Sequence, residues 1–227
     1  MSVVNGKKPG VVRPTDRAVL SARRLATLSF GTLWGAAVVV GFVLLFLYDA
    51  TPGIRGDSPE RWPEASALRP EPGMSTLVMA VHPHCPCTRA SLSELALVMA
   101  RLRDRVRAHV LFTLPPGAER SWAEGGLWST ASDIPGVIPL IDSDGMEAAH
   151  FGIETSGHTL LYDRDGALLF SGGITPSRGH EGDSAGRDAI VSLVENGASP
   201  LNITPVYGCA LREAPPVTVS GVTPCPK

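Results

Sequence analysis

The longest uncharged stretch of the chain is the feature that most restricts its fold. Residues 25–48 contain no Asp, Glu, Lys or Arg and centre on a run of Gly, Ala, Val, Leu and Phe. About 20 apolar residues are enough to cross a bilayer as a helix, in which the backbone polar groups bond within the segment. We therefore expect one N-terminal transmembrane helix over residues 25–48 that acts as a signal anchor.

Charge is distributed unevenly about this stretch. Residues 1–24 carry six basic side chains and one acidic side chain, whereas residues 49–227 carry 14 basic and 21 acidic ones. Basic flanks remain in the cytoplasm, so residues 1–24 are predicted to be a cytoplasmic tail and the rest to lie in the periplasm or outside the cell. A cleaved signal peptide is the competing interpretation, but no Ala-x-Ala-like site follows the run. The acidic balance of the exported part argues against nucleic-acid binding.

Two Pro-rich stretches flank the part of the chain that shows regular patterning. Residues 49–74 contain five prolines and three glycines, which interrupt helices and strands, so we expect an extended and mobile linker there. Residues 198–227 form a Pro-rich tail that contains Cys209 and Cys225.

Residues 75–197 alternate strand and helix patterns. Apolar runs at 77–81, 109–114 and 137–141 predict buried strands, and residues 119–131 predict a weaker helix. A turn at residues 163–166 separates two further apolar runs and predicts a β-hairpin. Ser184 is predicted to cap a last helix that Gly197 ends. The pattern predicts an α/β domain with a mixed sheet flanked by helices.

The densest chemistry lies where the first predicted strand meets the first predicted helix of this domain. His84, Cys85, Pro86 and Cys87 stand at that junction. Cys85 is predicted at the N-cap and Pro86 at the first helical position, where its missing N–H is no loss. The positive end of a helix dipole favours a thiolate, and the adjacent His84 can modulate the thiol pKa. The cysteine pair therefore indicates thiol chemistry.

The cysteine pair at a helix start, the β-α-β middle and residues 151–166 together resemble the thioredoxin fold. The similarity is to membrane-anchored thiol-disulfide proteins of the TlpA type and to RedB-like sequences, and it covers residues 75–197. It implies a thiol-disulfide oxidoreductase that acts on protein thiols and disulfides without a required cofactor. In that interpretation Cys85 is the attacking thiolate and Cys87 its resolving partner.

Two positions depart from the family pattern. A single residue separates Cys85 from Cys87, where the family has Cys-x-x-Cys, and a disulfide across so few atoms tends to be strained. His158 stands where the family has a cis-proline that faces the cysteines, so we expect His158 to assist the thiols.

The resemblance also implies that the loop of residues 171–183 lies on the cysteine side of the domain. Arg178, His180 and Glu181 are therefore expected to overhang Cys85 and Cys87. The alternative is an ordinary solvated loop.

Copper binding is the second function class that the sequence allows. Soft sulfur from Cys85 and Cys87, with imidazole from His158 or His84, suits Cu(I). This set is similar to that of the Sco copper-delivery proteins, which combine two cysteines with a distant histidine but space the cysteines more widely.

The two tail cysteines leave their connectivity open. An even cysteine count outside the cell favours pairing, so a Cys209–Cys225 disulfide is the simplest interpretation. In the alternative, Cys209 folds back toward Cys85 or Cys87 as a resolving thiol.

Overall fold

The computed structural model of the chain describes residues 14–212, with side chains from residue 22 onward. The chain divides after Tyr48 into two units, and each is described by itself. The first unit is formed by helix α1 (Pro14–Ala50), within which Ala22–Ala50 is long and apolar enough to cross a membrane. The predicted apolar helix is present, and its length and composition fit either a membrane anchor or a signal sequence.

Five strands form one mixed sheet in the second unit. They are β1 (Ser75–Val81), β2 (Val106–Leu114), β3 (Val137–Ser143), β4 (His158–Tyr162) and β5 (Leu168–Gly173). Their order in the sheet is β3-β2-β1-β4-β5. The first three strands are parallel, whereas β4 runs antiparallel to both β1 and β5. This arrangement confirms the predicted thioredoxin-like mixed sheet, including the hairpin of β4 and β5.

Helices flank the sheet. They are α2 (Pro86–Arg101), α3 (Arg120–Ala123), α4 (Gly126–Ser132), α5 (Met146–His150) and α6 (Ala185–Asn196). The prediction of one helix over residues 119–131 is wrong, because α3 ends at Ala123 and Gly125 caps a separate α4. The predicted limits of the last helix are confirmed: the Ser184 hydroxyl accepts a hydrogen bond from the Arg187 N–H, and Gly197 is left-handed with φ 75°.

The sheet separates two apolar clusters, since successive strand residues point to opposite faces. Leu77, Met79 and Val81 of β1 join a cluster with α2 and α6. Val78 and Ala80 join the other cluster, which includes residues of α5 and of the segment before β1. A side chain on this second face therefore points away from α2.

The segment before β1 is packed against the domain. The Trp62 ring centroid lies 5.0 Å from that of Phe151 and 5.2 Å from that of Tyr162. The backbone N–H of Trp62 donates a hydrogen bond to the Gly166 carbonyl at 2.8 Å. Residues 51–74 have no regular helix or strand, but the expectation that residues 49–74 form a mobile linker is wrong. Trp62 and its neighbours cover apolar surface on the second face of the sheet, and this burial holds the segment in place.

Candidate thiol site

Cys85 lies at the junction between β1 and α2. It is the N-cap of α2 with an extended backbone (φ −80°, ψ 123°), and Pro86 begins the helix. The Thr88 N–H donates to the Cys85 carbonyl at 3.0 Å, and the Thr88 hydroxyl donates to the His82 carbonyl at 3.0 Å. The local structure of this junction is therefore the one that its sequence predicts.

The thiols at the junction are shielded from solvent. Cys85 is 2% exposed and Cys87 is 9% exposed. Both are free thiols, as is Cys209. Any reactant therefore reaches Cys85 only through an opening in the surface.

A third thiol reaches Cys85 from the end of the chain. The Cys85 and Cys209 thiols are hydrogen-bonded to each other, with the two sulfurs 2.8 Å apart. This separation exceeds the roughly 2.05 Å of a disulfide bond, so the two sulfurs are not joined covalently. Of the two arrangements that the sequence leaves open for Cys209, the structure shows the approach to Cys85. Cys225, the other partner considered, lies outside the described residues.

Residues 204–211, the C-terminal segment, are bonded to β5 at their start and to the loop that precedes β4 at their end. Ala210 forms an antiparallel bridge with Thr155, and the Ser156 N–H donates to the Cys209 carbonyl at 2.8 Å. Val206 and Leu211 are buried on either side of the cysteine. The position of Cys209 thus follows from backbone pairing and apolar burial together.

Gly208 allows the C-terminal segment to lie directly against the Ser156 carbonyl. A Cβ atom at this position would lie 1.9 Å from the Ser156 carbonyl oxygen. No other residue type fits there without moving the backbone. The Tyr207-Gly208-Cys209 sequence is therefore the local signal for a tail that docks closely, although sequence alone does not say where.

The loop of residues 171–183 reaches the C-terminal segment through Arg178. The Arg178 guanidinium donates to the Gly208 carbonyl, one residue before Cys209. The other two expected loop residues, His180 and Glu181, are exposed, and His180 contacts the Arg178 carbonyl at 2.7 Å. Only Arg178 among the three is thus bonded beside a cysteine in the described part of the chain.

Buried Glu94 of α2 binds the C-terminal end of the same loop. Its carboxylate accepts a hydrogen bond from the Gly182 N–H at 2.7 Å and forms an ion pair with Arg187 at 2.7 Å. Glu94 is 1% exposed, so both partners are needed to balance its charge. The helix that carries the junction cysteines therefore also holds the loop above them.

The three cysteines differ in the direction in which their surroundings shift the thiol pKa. Burial acts to raise the pKa of Cys85, but hydrogen bonds from Cys209 and Cys87 outweigh it and hold that pKa below the ordinary value. Burial and then the Cys85 charge raise the pKa of Cys87. Burial, the hydrogen bond to Cys85 and the Cys85 charge raise the pKa of Cys209 to about 12. Of the three, Cys85 is therefore the cysteine whose surroundings favour the thiolate, whereas those of Cys87 and Cys209 disfavour it.

A cavity of about 510 Å³ opens beside Cys85 and is lined in part by His84, Arg89 and Trp122. The His84 ring lies 4.5 Å from the Trp122 ring and its Nε2 is 3.0 Å from the Trp122 carbonyl. His84 thus forms a wall of the cavity, which gives a substrate an approach to Cys85 between an imidazole, an indole and a guanidinium.

The structure does not bring His158 to the thiols. Its ring is fully buried on the sheet face that points away from α2, and Nε2 lies 2.9 Å from the Ser171 hydroxyl. Burial first, and then the Arg55 charge, lowers the pKa of His158 to about 3. Gly157 faces α2 instead, since a Cβ there would lie 2.6 Å from the Ser91 hydroxyl. The alternation of side chains along a strand separates these two neighbours.

The copper donor set named from the sequence is not assembled. Within residues 14–212, no group of three or more His, Cys, Asp and Glu side chains is placed to hold a metal ion. Cys85 and Cys87 lie together at the helix start, whereas His158 is bonded to Ser171 on the other face.

Comparisons with known proteins found similarity in structure but not in sequence. No protein-family model matches the sequence, and no curated protein matches it. A crystal structure of an uncharacterized conserved protein from Geobacillus kaustophilus is 16% identical with a TM-score of 0.52, and the match covers 73% of this chain and 93% of that one. This likeness shows a shared fold.

Two further structural neighbours have thiol or copper chemistry in their descriptions. A secreted Mycobacterium tuberculosis disulfide oxidoreductase homologous to E. coli DsbE is 18% identical with a TM-score of 0.38, over 54% of this chain and 81% of that one. Arabidopsis thaliana ScoI with copper bound is 13% identical with a TM-score of 0.37, over 56% and 83%.

Proposed function

We propose that the chain is a membrane-tethered extracytoplasmic thiol-disulfide oxidoreductase with Cys85 as its attacking thiolate. The observation that carries this proposal is the N-cap position of Cys85 with the Cys209 sulfur 2.8 Å away, within hydrogen-bond distance and able to donate to the Cys85 anion. The helix N-terminus and this hydrogen bond both favour the anion, which is the form that attacks a disulfide. The cavity beside Cys85 gives a partner disulfide its approach.

The reaction begins when the Cys85 thiolate attacks one sulfur of a partner disulfide. A mixed disulfide forms between Cys85 and that sulfur, and the other partner sulfur leaves as a thiolate. A second thiol of the chain then attacks Cys85 and releases the partner in reduced form. The family pattern implies Cys87 for this second step, and no cofactor takes part in either step.

The location proposed for this chemistry rests on the N-terminal part of the chain. The apolar helix follows six basic side chains within residues 1–24, a distribution that favours a cytoplasmic N-terminus. The thiol domain then lies in a compartment where disulfides form and persist, and protein thiols and disulfides are its substrates.

Copper delivery, the alternative function, retains its sulfur donors and His84 beside Cys85, but not His158. Cys85 and Cys87 remain soft ligands, but the imidazole of His158 is bonded to Ser171. The positions of these residues therefore favour the redox proposal.

The proposal is tested with the reduced full chain in detergent micelles. Oxidised glutathione is added, the reaction is stopped with acid at short times, and the first modified cysteine is identified by mass spectrometry. We expect Cys85 to react first, and Cys85→Ser to slow the reaction at least about 100-fold because the nucleophile is lost. Reaction of Cys85→Ser at the wild-type rate, or first modification at Cys87, would contradict the proposal.

A further inference from the structure

The C-terminal segment carries the second thiol of the site. We propose that Cys209, rather than Cys87, resolves the mixed disulfide at Cys85, an inference that rests on the proposed function. Cys209 already lies against Cys85, with the sulfurs 2.8 Å apart. A Cys85–Cys87 bond would instead close a ring across the single residue Pro86 at the start of a helix, which is a strained arrangement.

The approach of Cys209 is built by several independent contacts. The Cys209 carbonyl accepts from the Ser156 N–H at 2.8 Å, and the Leu211 N–H donates to the Glu154 carbonyl at 2.9 Å. Arg178 bonds the carbonyl of Gly208 immediately before the cysteine. These contacts hold the backbone on both sides of Cys209, so its sulfur is presented to Cys85 by a fixed segment.

The resolving step balances in atoms and electrons. After the first attack, Cys85 is joined to one partner sulfur, and the other partner sulfur is a free thiolate. That thiolate takes the Cys209 proton, and the Cys209 sulfur then attacks Cys85 Sγ. The Cys85–Cys209 bond forms as the bond to the partner breaks, and the partner sulfur leaves as a thiolate. The partner disulfide is reduced by two electrons, and Cys85 and Cys209 are oxidised by two.

The first attack also prepares Cys209 for the second. While Cys85 is an anion, its charge and its acceptance of a hydrogen bond help to retain the proton on Cys209. Both influences end when Cys85 becomes part of a mixed disulfide. Burial still opposes ionisation of Cys209, whereas the positive charge of Arg178 continues to favour it. Cys209 therefore becomes a better nucleophile only when a mixed disulfide is present to be resolved.

The arrangement of tryptic sites allows a direct test. Cys85 and Cys87 share the peptide of residues 62–89, Cys209 lies in residues 188–212, and Cys225 lies in residues 213–227. The reduced full chain in detergent micelles is treated with oxidised glutathione, acid-quenched, blocked with N-ethylmaleimide and digested without reductant. We expect peptide 62–89 linked to peptide 188–212 as the dominant product, both in the wild type and in Cys87→Ser.

The variants sharpen the assignment. In Cys209→Ser we expect glutathione to remain on Cys85 at least about 10-fold longer, because the second attack is lost. Cys225→Ser is the matched control in the same tail and should close the Cys85–Cys209 bond at the wild-type rate. If Cys209→Ser does not fold, the peptide map of Cys87→Ser still decides the question, because Cys85 is then the only cysteine in residues 62–89.

The outcomes separate the two proposals. A dominant Cys85–Cys87 bond, or any dominant linkage through Cys225, would overturn the role of Cys209 while leaving Cys85 as the attacking thiolate. A chain in which Cys85 forms neither a glutathione adduct nor a disulfide would overturn the proposed function itself.

Discussion

The β1–α2 junction and the C-terminal segment each deliver a cysteine to the same site, but they are positioned by different means. At the junction, the end of β1 and the start of α2 follow from neighbouring residues, with Cys85 as N-cap and Pro86 next. The C-terminal segment is neither helix nor strand, and its place is set by Ser156, Glu154 and Arg178, which are distant in sequence. Cys85 is thus placed locally, whereas Cys209 is placed by tertiary contacts.

The comparison also explains why the pKa values of two similarly buried thiols shift in opposite directions. Both Cys85 and Cys209 are removed from water, and burial acts to raise the pKa of each. An ionised Cys85 accepts a hydrogen bond from Cys209, and this interaction lowers the pKa of Cys85 and adds to burial in raising the pKa of Cys209. Burial acts alike on both sulfurs, so the interaction between them distinguishes their pKa values.

The largest effect is expected from a change that displaces the C-terminal segment and leaves the junction intact. In Gly208→Ala the new methyl group would lie 1.9 Å from the Ser156 carbonyl oxygen, so the segment must shift. We expect formation of the Cys85–Cys209 disulfide to slow by about 100-fold, since a displacement of about 1 Å has that effect on a positioned reaction. The measurement is the rate at which oxidised glutathione links the two tryptic peptides.

Ala210→Ser is the control for this prediction. Ala210 is exposed two residues away, so a hydroxyl there meets solvent and closure should proceed as in the wild type. Wild-type closure in Gly208→Ala would show that the docking of this segment does not position Cys209.

An intermediate effect is expected on the ionisation of Cys85. In the wild type, the rate of Cys85 alkylation by iodoacetamide should rise with pH about a midpoint below that of an ordinary thiol, because its pKa is lowered. Cys209→Ala removes a hydrogen-bond donor to the thiolate, so the pKa rises and the midpoint moves to higher pH. The rate is followed by mass spectrometry, with Cys225→Ala as the matched control. An unchanged midpoint would mean that Cys209 does not stabilise the anion.

The smallest effect on the thiols is expected from His158→Gln. This change disturbs a buried hydrogen bond to Ser171, so the free energy of unfolding should fall by about 1–3 kcal/mol. The alkylation midpoint of Cys85 and the affinity for Cu(I) should both stay at wild-type values, because the ring lies on the other face of the sheet. Ser171→Ala removes the same hydrogen bond and serves as the matched control. A marked loss of Cu(I) affinity with the fold intact would instead place His158 with the sulfurs.

Much of the fold could be predicted because its signals are local. The hairpin of β4 and β5, the Ser184 cap and the start of α2 each depend on a few consecutive residues. Two expectations failed for physical reasons that lie outside the local pattern. Gly125 divides the expected helix into α3 and α4, and Trp62 anchors a segment whose prolines and glycines predicted mobility.

The sequence by itself determined an apolar N-terminal helix, an α/β domain with a mixed sheet and a cysteine at the N-cap of a helix. These follow from hydrophobic periodicity and backbone chemistry, which act between near neighbours. Only the tertiary structure decided that Cys209 lies against Cys85 and that His158 faces away from both. Those placements depend on the pairing of residue 155 with residue 210 and on the face that each strand residue presents. Such contacts join residues far apart in sequence, and a pattern read along one chain does not contain them.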